Sequence, residues 1–214
     1  MTVKKLQRFA ELSTFPNAFQ HWVDLKGKWN SDYFKNPNPI TLELACGKAE
    51  YTIALAQEYP NRNFIGVDLK GARLWRGAKT ALEQNLNNTA FLRTPIERID
   101  EFFSIGEVAE MWIPFPDPFP RKGKAKKRLT SPRFLNLYRA ILRRGGLIHL
   151  KTDDEGLFNY TLETLKSENC CTRQIIPDLY GLPEPDVLLI TQTAYERKHL
   201  QSGKKIKYLC FSLG

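Results

Sequence analysis

No apolar stretch in the 214 residues approaches the roughly 18 that a membrane-spanning helix needs. The charged start, Met1-Thr2-Val3-Lys4-Lys5, has no apolar segment behind it, so a secretory leader is not expected and a cytoplasmic protein is. Cysteine is scarce. Cys46, Cys170, Cys171 and Cys210 contain neither the spacing of a metal knuckle nor a CxxC pair, so reduced thiols and no metal are expected. Internal repeats are lacking too, which excludes solenoid architectures. What the chain has in excess is positive charge: 32 Lys and Arg against 23 Asp and Glu, a net +9. A field of that sign concentrates polyanions, with nucleic acid as the leading partner ahead of acidic membrane surfaces.

The length suits one catalytic domain, 40–214, preceded by a basic and aromatic arm, 1–39, of short helix and loop. Short apolar runs predict strands at 40–45, 63–68, 89–92, 110–114 and 146–151. Helical patterns at 50–59, 71–85, 97–103, 131–143 and 154–166 separate or follow them. The series predicts an α/β, doubly wound, mostly parallel sheet of seven strands. Its end is strand-rich, at 172–176, 187–191 and 205–211, so antiparallel strands are expected there.

The segment Leu42-Glu43-Leu44-Ala45-Cys46-Gly47 runs from a strand into a helix. In a doubly wound sheet such a turn borders the crevice where ligands bind. An acidic residue about 20 positions further on reaches a ribose hydroxyl in dinucleotide folds, and Asp68 lies 21 residues after Gly47. A nicotinamide cofactor fits this spacing as well; the plain alternative is an ordinary strand-turn-helix with an exposed Asp68. Glu43, ahead of the turn, resembles the acidic residue that methyltransferase first strands often carry near the pocket for the methionine end of S-adenosylmethionine.

In Trp112-Ile113-Pro114-Phe115-Pro116-Asp117-Pro118-Phe119-Pro120 the prolines end a strand and bias Asp117 away from helix. A carboxylate on a stiff loop at a strand's carboxyl end stands where an α/β enzyme places its chemistry, although a solvated connector has the same composition. Directly after it comes Arg121-Lys122-Gly123-Lys124-Ala125-Lys126-Lys127-Arg128, six cations in eight residues. On the rim of a site, each phosphate contact from such a run adds salt-dependent affinity. Lys48, Lys70, Arg73, Arg143, Arg144 and Lys151 extend the expected patch.

Taken in order, Glu43-Leu-Ala-Cys-Gly-Lys48, Gly66-Val-Asp68-Leu-Lys70, Pro114-Phe-Pro-Asp117-Pro118, Lys126-Lys-Arg-Leu-Thr130, Lys151-Thr-Asp153 and Thr193-Ala-Tyr-Glu196 resemble the bacterial tRNA (guanine-N7)-methyltransferase family. That resemblance implies a Rossmann-like class I fold, S-adenosylmethionine as cofactor and tRNA as partner, with the target guanine in the variable loop. It implies that Glu43, Gly47, Asp68 and Asp117 hold the cofactor. Asp117 then lies at the junction with guanine and is the catalytic candidate. Arg121, Asp153, Thr193, Tyr195 and Glu196 are the expected substrate contacts. Lys122, Lys124, Lys126, Lys127 and Arg128 form the expected RNA-binding loop, and either a monomer or a homodimer is compatible.

Three features depart from the family pattern. Arg121 replaces the usual lysine, and Ala45 and Ala49 stand where glycines are usual, a strained choice if either backbone needs positive φ. Thr94-Pro95-Ile96 stands where an acidic residue is usual after the third strand, so adenine contacts are expected from backbone or apolar packing at Pro95 and Ile96. Asp153 as a helix N-cap and Glu196 as a solvated ion pair with Arg197 or Lys198 are the plain readings of those two carboxylates. An exocyclic-amine methyltransferase and a noncatalytic RNA-binding module are the competing functions.

Overall fold

The computed structural model describes residues 3–20 and 24–214, so residues 1–2 and 21–23 of the arm lie outside it. Strands form where short apolar runs meet a turn signal: β2 (Ile40–Leu44), β3 (Asn63–Val67), β4 (Thr89–Arg93) and β5 (Val108–Pro114). Every residue of β2 and β3 is buried, as a parallel sheet covered on both faces requires. Together with β1 (Ala18–Gln20), β6 (Leu142–Thr152), β7 (Cys171–Ile176) and β8 (Lys207–Ser212), they make one sheet in the order β1-β4-β3-β2-β5-β6-β8-β7. The pairs among β1 to β6 are parallel, and β8 runs antiparallel to β6 and to β7.

The sheet therefore has eight strands where seven were expected. The extra one is β1, three residues of the arm whose Ala18, Phe19 and Gln20 align with Phe91, Leu92 and Arg93. So short a strand carries no periodicity, and it exists because β4 offers an unpaired edge. A second difference lies at Val187–Ile190, predicted as strand and found as a helical turn, α6. The amides of Leu189 and Ile190 return to the Asp186 carbonyl. Apolar residues there fit a strand, but both sides of β8 are already paired, to β6 and β7.

Five longer helices cover the faces: α1 (Val3–Leu12), α2 (Glu50–Glu58), α3 (Gly71–Glu83), α4 (Pro132–Ile141) and α5 (Glu155–Ser167). The helix expected at 97–103 is a tighter 3-10 segment, Ile96–Glu101, broken at Arg98. Proline suits the first turn of α4, whose Phe134, Leu135, Tyr138 and Ile141 form one buried stripe. That stripe packs on Leu42, Leu44, Met111, Ile113 and Ile148. Trp29 and Phe34 of the arm join the same core, and the Trp29 indole N–H donates to the Phe102 carbonyl at 2.9 Å. On the opposite face, α2 lays Tyr51, Leu55 and Ala56 near Trp112 and Tyr208, while α1 packs through Leu12 against Leu74 and Ala78 of α3.

A histidine buried beneath α2 makes the fold acid-sensitive. His149 stacks on Trp112 with ring centroids 4.1 Å apart, and its Nδ1 shares a 2.7 Å hydrogen bond with the Tyr208 hydroxyl. Glu110, 3.6 Å away and itself bound by Arg62 and the Trp112 indole, does not offset the burial that pulls the imidazole from 6.5 to about 4. Between those values the unfolded chain binds a proton that the native state refuses, so stability falls as pH drops from 6.5 towards 4. The expected loss is up to about 3 kcal/mol. Denaturant midpoints measured across that range should fall with pH in the wild type and fall less in His149→Gln.

Candidate active site

The turn after β2 takes an unusual backbone. Ala45, Gly47 and Ala49 all have positive φ, at 58°, 59° and 56°. In that region an L-residue with a Cβ is strained by about 1–2 kcal/mol, so the strain foreseen for both alanines is present. The turn holds because its polar groups are tied down. The Gly47 amide donates to Asp68 Oδ2 at 2.9 Å, and the Lys70 amide to Asp68 Oδ1 at 2.6 Å. The tightest packing is at Gly77 of α3, where a Cβ would lie 2.6 Å from that of Ala49 and 2.9 Å from the Lys48 carbonyl. Helix α3 thus presses directly on the turn.

Two clefts meet at Ala45. The first, about 420 Å³, is walled by Glu43, Gly47, Lys48 and Arg73 on one side and by Pro114, Phe115 and Thr193 to Tyr195 on the other. Glu43 is only 4% exposed. Its Oε2 accepts from the Thr52 amide at 2.7 Å and from the Thr52 hydroxyl, whereas Oε1 has no partner among the described residues. Burial pushes the Glu43 carboxyl up to about 8, against the pull of the two Thr52 bonds. Sequence reasoning missed Thr52, whose place nine residues after Glu43 is set only by the fold.

The second cleft, about 280 Å³, brings Asp68 and Asp117 together with Pro95, Ile96, Phe119 and Lys127. Asp117 is exposed on a loop whose flanking Phe115 and Phe119 have positive φ, 52° and 42°. Such a conformation persists only where surroundings hold it. The Phe115 amide donates to the Lys151 carbonyl at 2.8 Å. Arg128 secures the other end, donating to the Pro118 and Phe119 carbonyls at 3.0 Å each, with its guanidinium 4.2 Å from the Tyr160 ring centroid. Arg128 is buried. It was expected in the RNA-facing run; instead its donors are spent on the aspartate loop. Arg121, Lys122, Lys124, Lys126 and Lys127 do face solvent, the six positions Lys122–Lys127 winding into a 3-10 turn with no buried residue.

Several expected substrate contacts have other duties. Helix α7 (Ala194–Gln201) begins at Thr193, whose hydroxyl accepts from the Glu196 amide at 3.1 Å. Glu196 is fully buried: its Oε1 lies 2.7 Å from the Lys151 ammonium and accepts from the Tyr180 hydroxyl at 2.9 Å, and its Oε2 lies 2.9 Å from the same ammonium. Both oxygens are thus engaged, so neither a guanine edge nor the expected pairing with Arg197 or Lys198 describes it. Lys151, expected in the surface patch, is fully buried and also donates to the Leu189 and Thr191 carbonyls. Burial lowers its pKa, and Glu196 works against that shift.

Asp153 pairs with Lys204 at 2.7 Å and lies 3.3 Å from His199 Nδ1. It is not the cap of α5. Asp154 is, accepting from the Leu157 amide at 2.6 Å. Thr193 and Tyr195 do border the first cleft, with Tyr195 half exposed and its ring 5.3 Å from that of Phe115. The Ala194 amide donates to Glu50 Oε2, which ties this rim to the start of α2.

The donor set fits an adenosyl amino acid. Asp68 is aimed by two amides and keeps lone pairs for ribose hydroxyls, Pro95 and Ile96 offer an apolar wall for adenine, and Glu43 presents a free oxygen to an ammonium. Among the described residues no helix is long and apolar enough to cross a membrane, and no group of three or more His, Cys, Asp or Glu could hold a metal.

Sheet order and cleft together define a Rossmann-like methyltransferase fold, as the solved structures bear out. A 16S rRNA methyltransferase, KamB, superposes with a TM-score of 0.68 at 14% identity, covering 91% of this chain and 95% of that one. A variant of the 16S rRNA (adenine(1408)-N(1))-methyltransferase from Catenulisporales acidiphilia, solved with cosubstrate SAM, gives 0.64 at 16% identity over 90% and 93%. A family model described as a putative methyltransferase matches residues 37–209. The tRNA (guanine-N(7)-)-methyltransferase of Porphyromonas gingivalis is 47% identical over 95% of this chain and 87% of its own length, and that of Christiangramia forsetii 46% over 98% and 97%. The chain belongs to the tRNA (guanine-N(7)-)-methyltransferase family.

Proposed function

We propose that the protein transfers the methyl group of S-adenosylmethionine to N7 of a guanine in tRNA, with the variable loop as the region acted on. The observation that carries the reading is the second cleft, where Asp68 and Asp117 line one space with Lys127 at its edge. A ribose-binding carboxylate, a carboxylate at the reacting end and a cation for phosphate are the groups this reaction calls for. The cosubstrate supplies an activated methyl on a sulfonium. Guanine N7 carries a free lone pair and no proton, so its attack needs no general base, and the chain's task is to position the two reactants. Asp117 orients the base and offsets the positive charge that grows on the ring as N7 is alkylated. Incubation with labelled S-adenosylmethionine and unmodified tRNA, followed by nucleoside analysis, tests this: label in 7-methylguanosine is expected, and label in a methylated exocyclic amine, or none, would overturn it.

Glu43 gives the reading a protonic signature. A carboxyl raised to about 8 keeps its proton at pH 7 in the free protein, and an arriving ammonium favours the ionised form. Ligand binding at pH 7 should therefore release a proton, seen by calorimetry of S-adenosylhomocysteine in buffers of different ionisation enthalpy. The release should vanish in Glu43→Gln.

The exposed turn at Lys122–Lys127 grips the RNA backbone. Replacing Lys124, Lys126 and Lys127 together by alanine should weaken tRNA binding and flatten its dependence on log salt by about 2–3 units of slope. Unchanged salt dependence in filter binding would place the RNA elsewhere.

A further inference from the structure

The first cleft holds one buried acid and two basic side chains that do not pair with it. Glu43 presents Oε1 to it, and the charges acting on Glu43 are those of other carboxylates, Asp68 and Glu50, not of a cation. Lys48 and Arg73 line the same cleft, both exposed, and neither has a side-chain hydrogen bond, ion pair or ring contact among the described residues. Glu50, the nearest acidic alternative on that wall, has its Oε2 committed to the Ala194 amide. Helix α2 begins beside them at Ala49 without a side-chain cap, which adds partial positive charge to the wall.

We propose that Arg73, with Lys48 beside it, binds the α-carboxylate of the cosubstrate's amino-acid end while Glu43 takes the α-ammonium. The inference rests on the cosubstrate assigned above and extends it to residues that select its intact form. An amino-acid end is a zwitterion, and it is recognised by one anionic and one cationic group on the same cleft wall. Guanidinium is the better receptor for a carboxylate because its parallel donors match the two oxygens. RNA phosphate is the other anion these cations meet, but Arg73 and Lys48 share their cleft with Glu43 and Gly47, and the exposed turn at Lys122–Lys127 lies outside it.

Calorimetry with two ligands tests the assignment without relying on turnover: S-adenosylhomocysteine, and its decarboxylated analogue, which keeps the amine. Wild-type protein should bind the first about 10- to 100-fold more tightly. The Lys48→Met/Arg73→Met double variant should lose that preference by weakening only for S-adenosylhomocysteine, with a melting curve like the wild type's because both side chains are exposed. Equal wild-type affinities, an equal loss for both ligands, or a loss confined to tRNA would overturn it. Wild-type protein that binds neither ligand would sink the cosubstrate assignment itself, an outcome distinct from all of these.

Discussion

Replacing Asp117 with alanine should lower the rate of methyl transfer by about 10²- to 10³-fold, the usual cost of removing one group that stabilises transition-state charge. Affinity for tRNA should stay within about twofold and stability within about 0.5 kcal/mol, because the side chain is exposed. The loop's shape does not depend on the carboxylate. Arg128 holds its far end through the Pro118 and Phe119 carbonyls, and the Phe115 amide holds its near end on Lys151. Single-turnover rates with saturating ligands separate chemistry from binding. An Asp117→Ala protein with full turnover would remove the aspartate from the reaction. By contrast, Asp68→Asn should act mainly on cosubstrate affinity, since Asp68 also orients the Gly47 and Lys70 amides.

The second large effect is on stability. Glu196→Ala strands the Lys151 ammonium in a fully buried setting without a counter-charge, left among the described residues with two carbonyl acceptors and the faces of Tyr51 and Phe115. Breaking a buried pair from one side costs about 3–5 kcal/mol, which for a chain of this size lowers the melting temperature by about 10 °C. Removing both charges, as Lys151→Met with Glu196→Leu, should recover most of that loss, since the penalty lies in the uncompensated charge. If Glu196 instead served only to contact the target base, the single variant would melt like the wild type and lose activity alone. Thermal melts of the three variants decide between the two roles.

Glu196 also shows which parts of the site were legible in the sequence. Thr193 and Glu196 have the three-residue spacing of a capping box, a helix-start signal. That local signal is present, but it does not separate a helix start at α7 from the substrate contact that the family resemblance implies for the same residues. The box is half made: Thr193 caps, while the Glu196 side chain turns to a lysine 45 residues earlier. No local pattern announces such a partner. Arg128 was hidden likewise, its inward turn masked by the cations around it.

The turn after β2, the position of Asp68 and the proline-bound loop of Asp117 were readable because each depends on local rules: glycine conformation, strand ends and proline geometry. The central parallel strands were readable as buried apolar runs. Strand β1 and the helical turn at Val187–Ile190 were not, since pairing partners far along the chain decide both.

The order of the sheet also governs when the molecule can be finished during synthesis. Strand β7 leaves the ribosome before β8, yet among the described residues its strand neighbour is β8 alone, which wedges between it and β6. Until β8 emerges, β6 has an open edge and β7 lacks its partner strand, and the nascent chain is most exposed to mispairing at that stage. Loss of Lys207–Ser212 would leave both strands without their shared neighbour, far from the Asp68 and Asp117 cleft in sheet order.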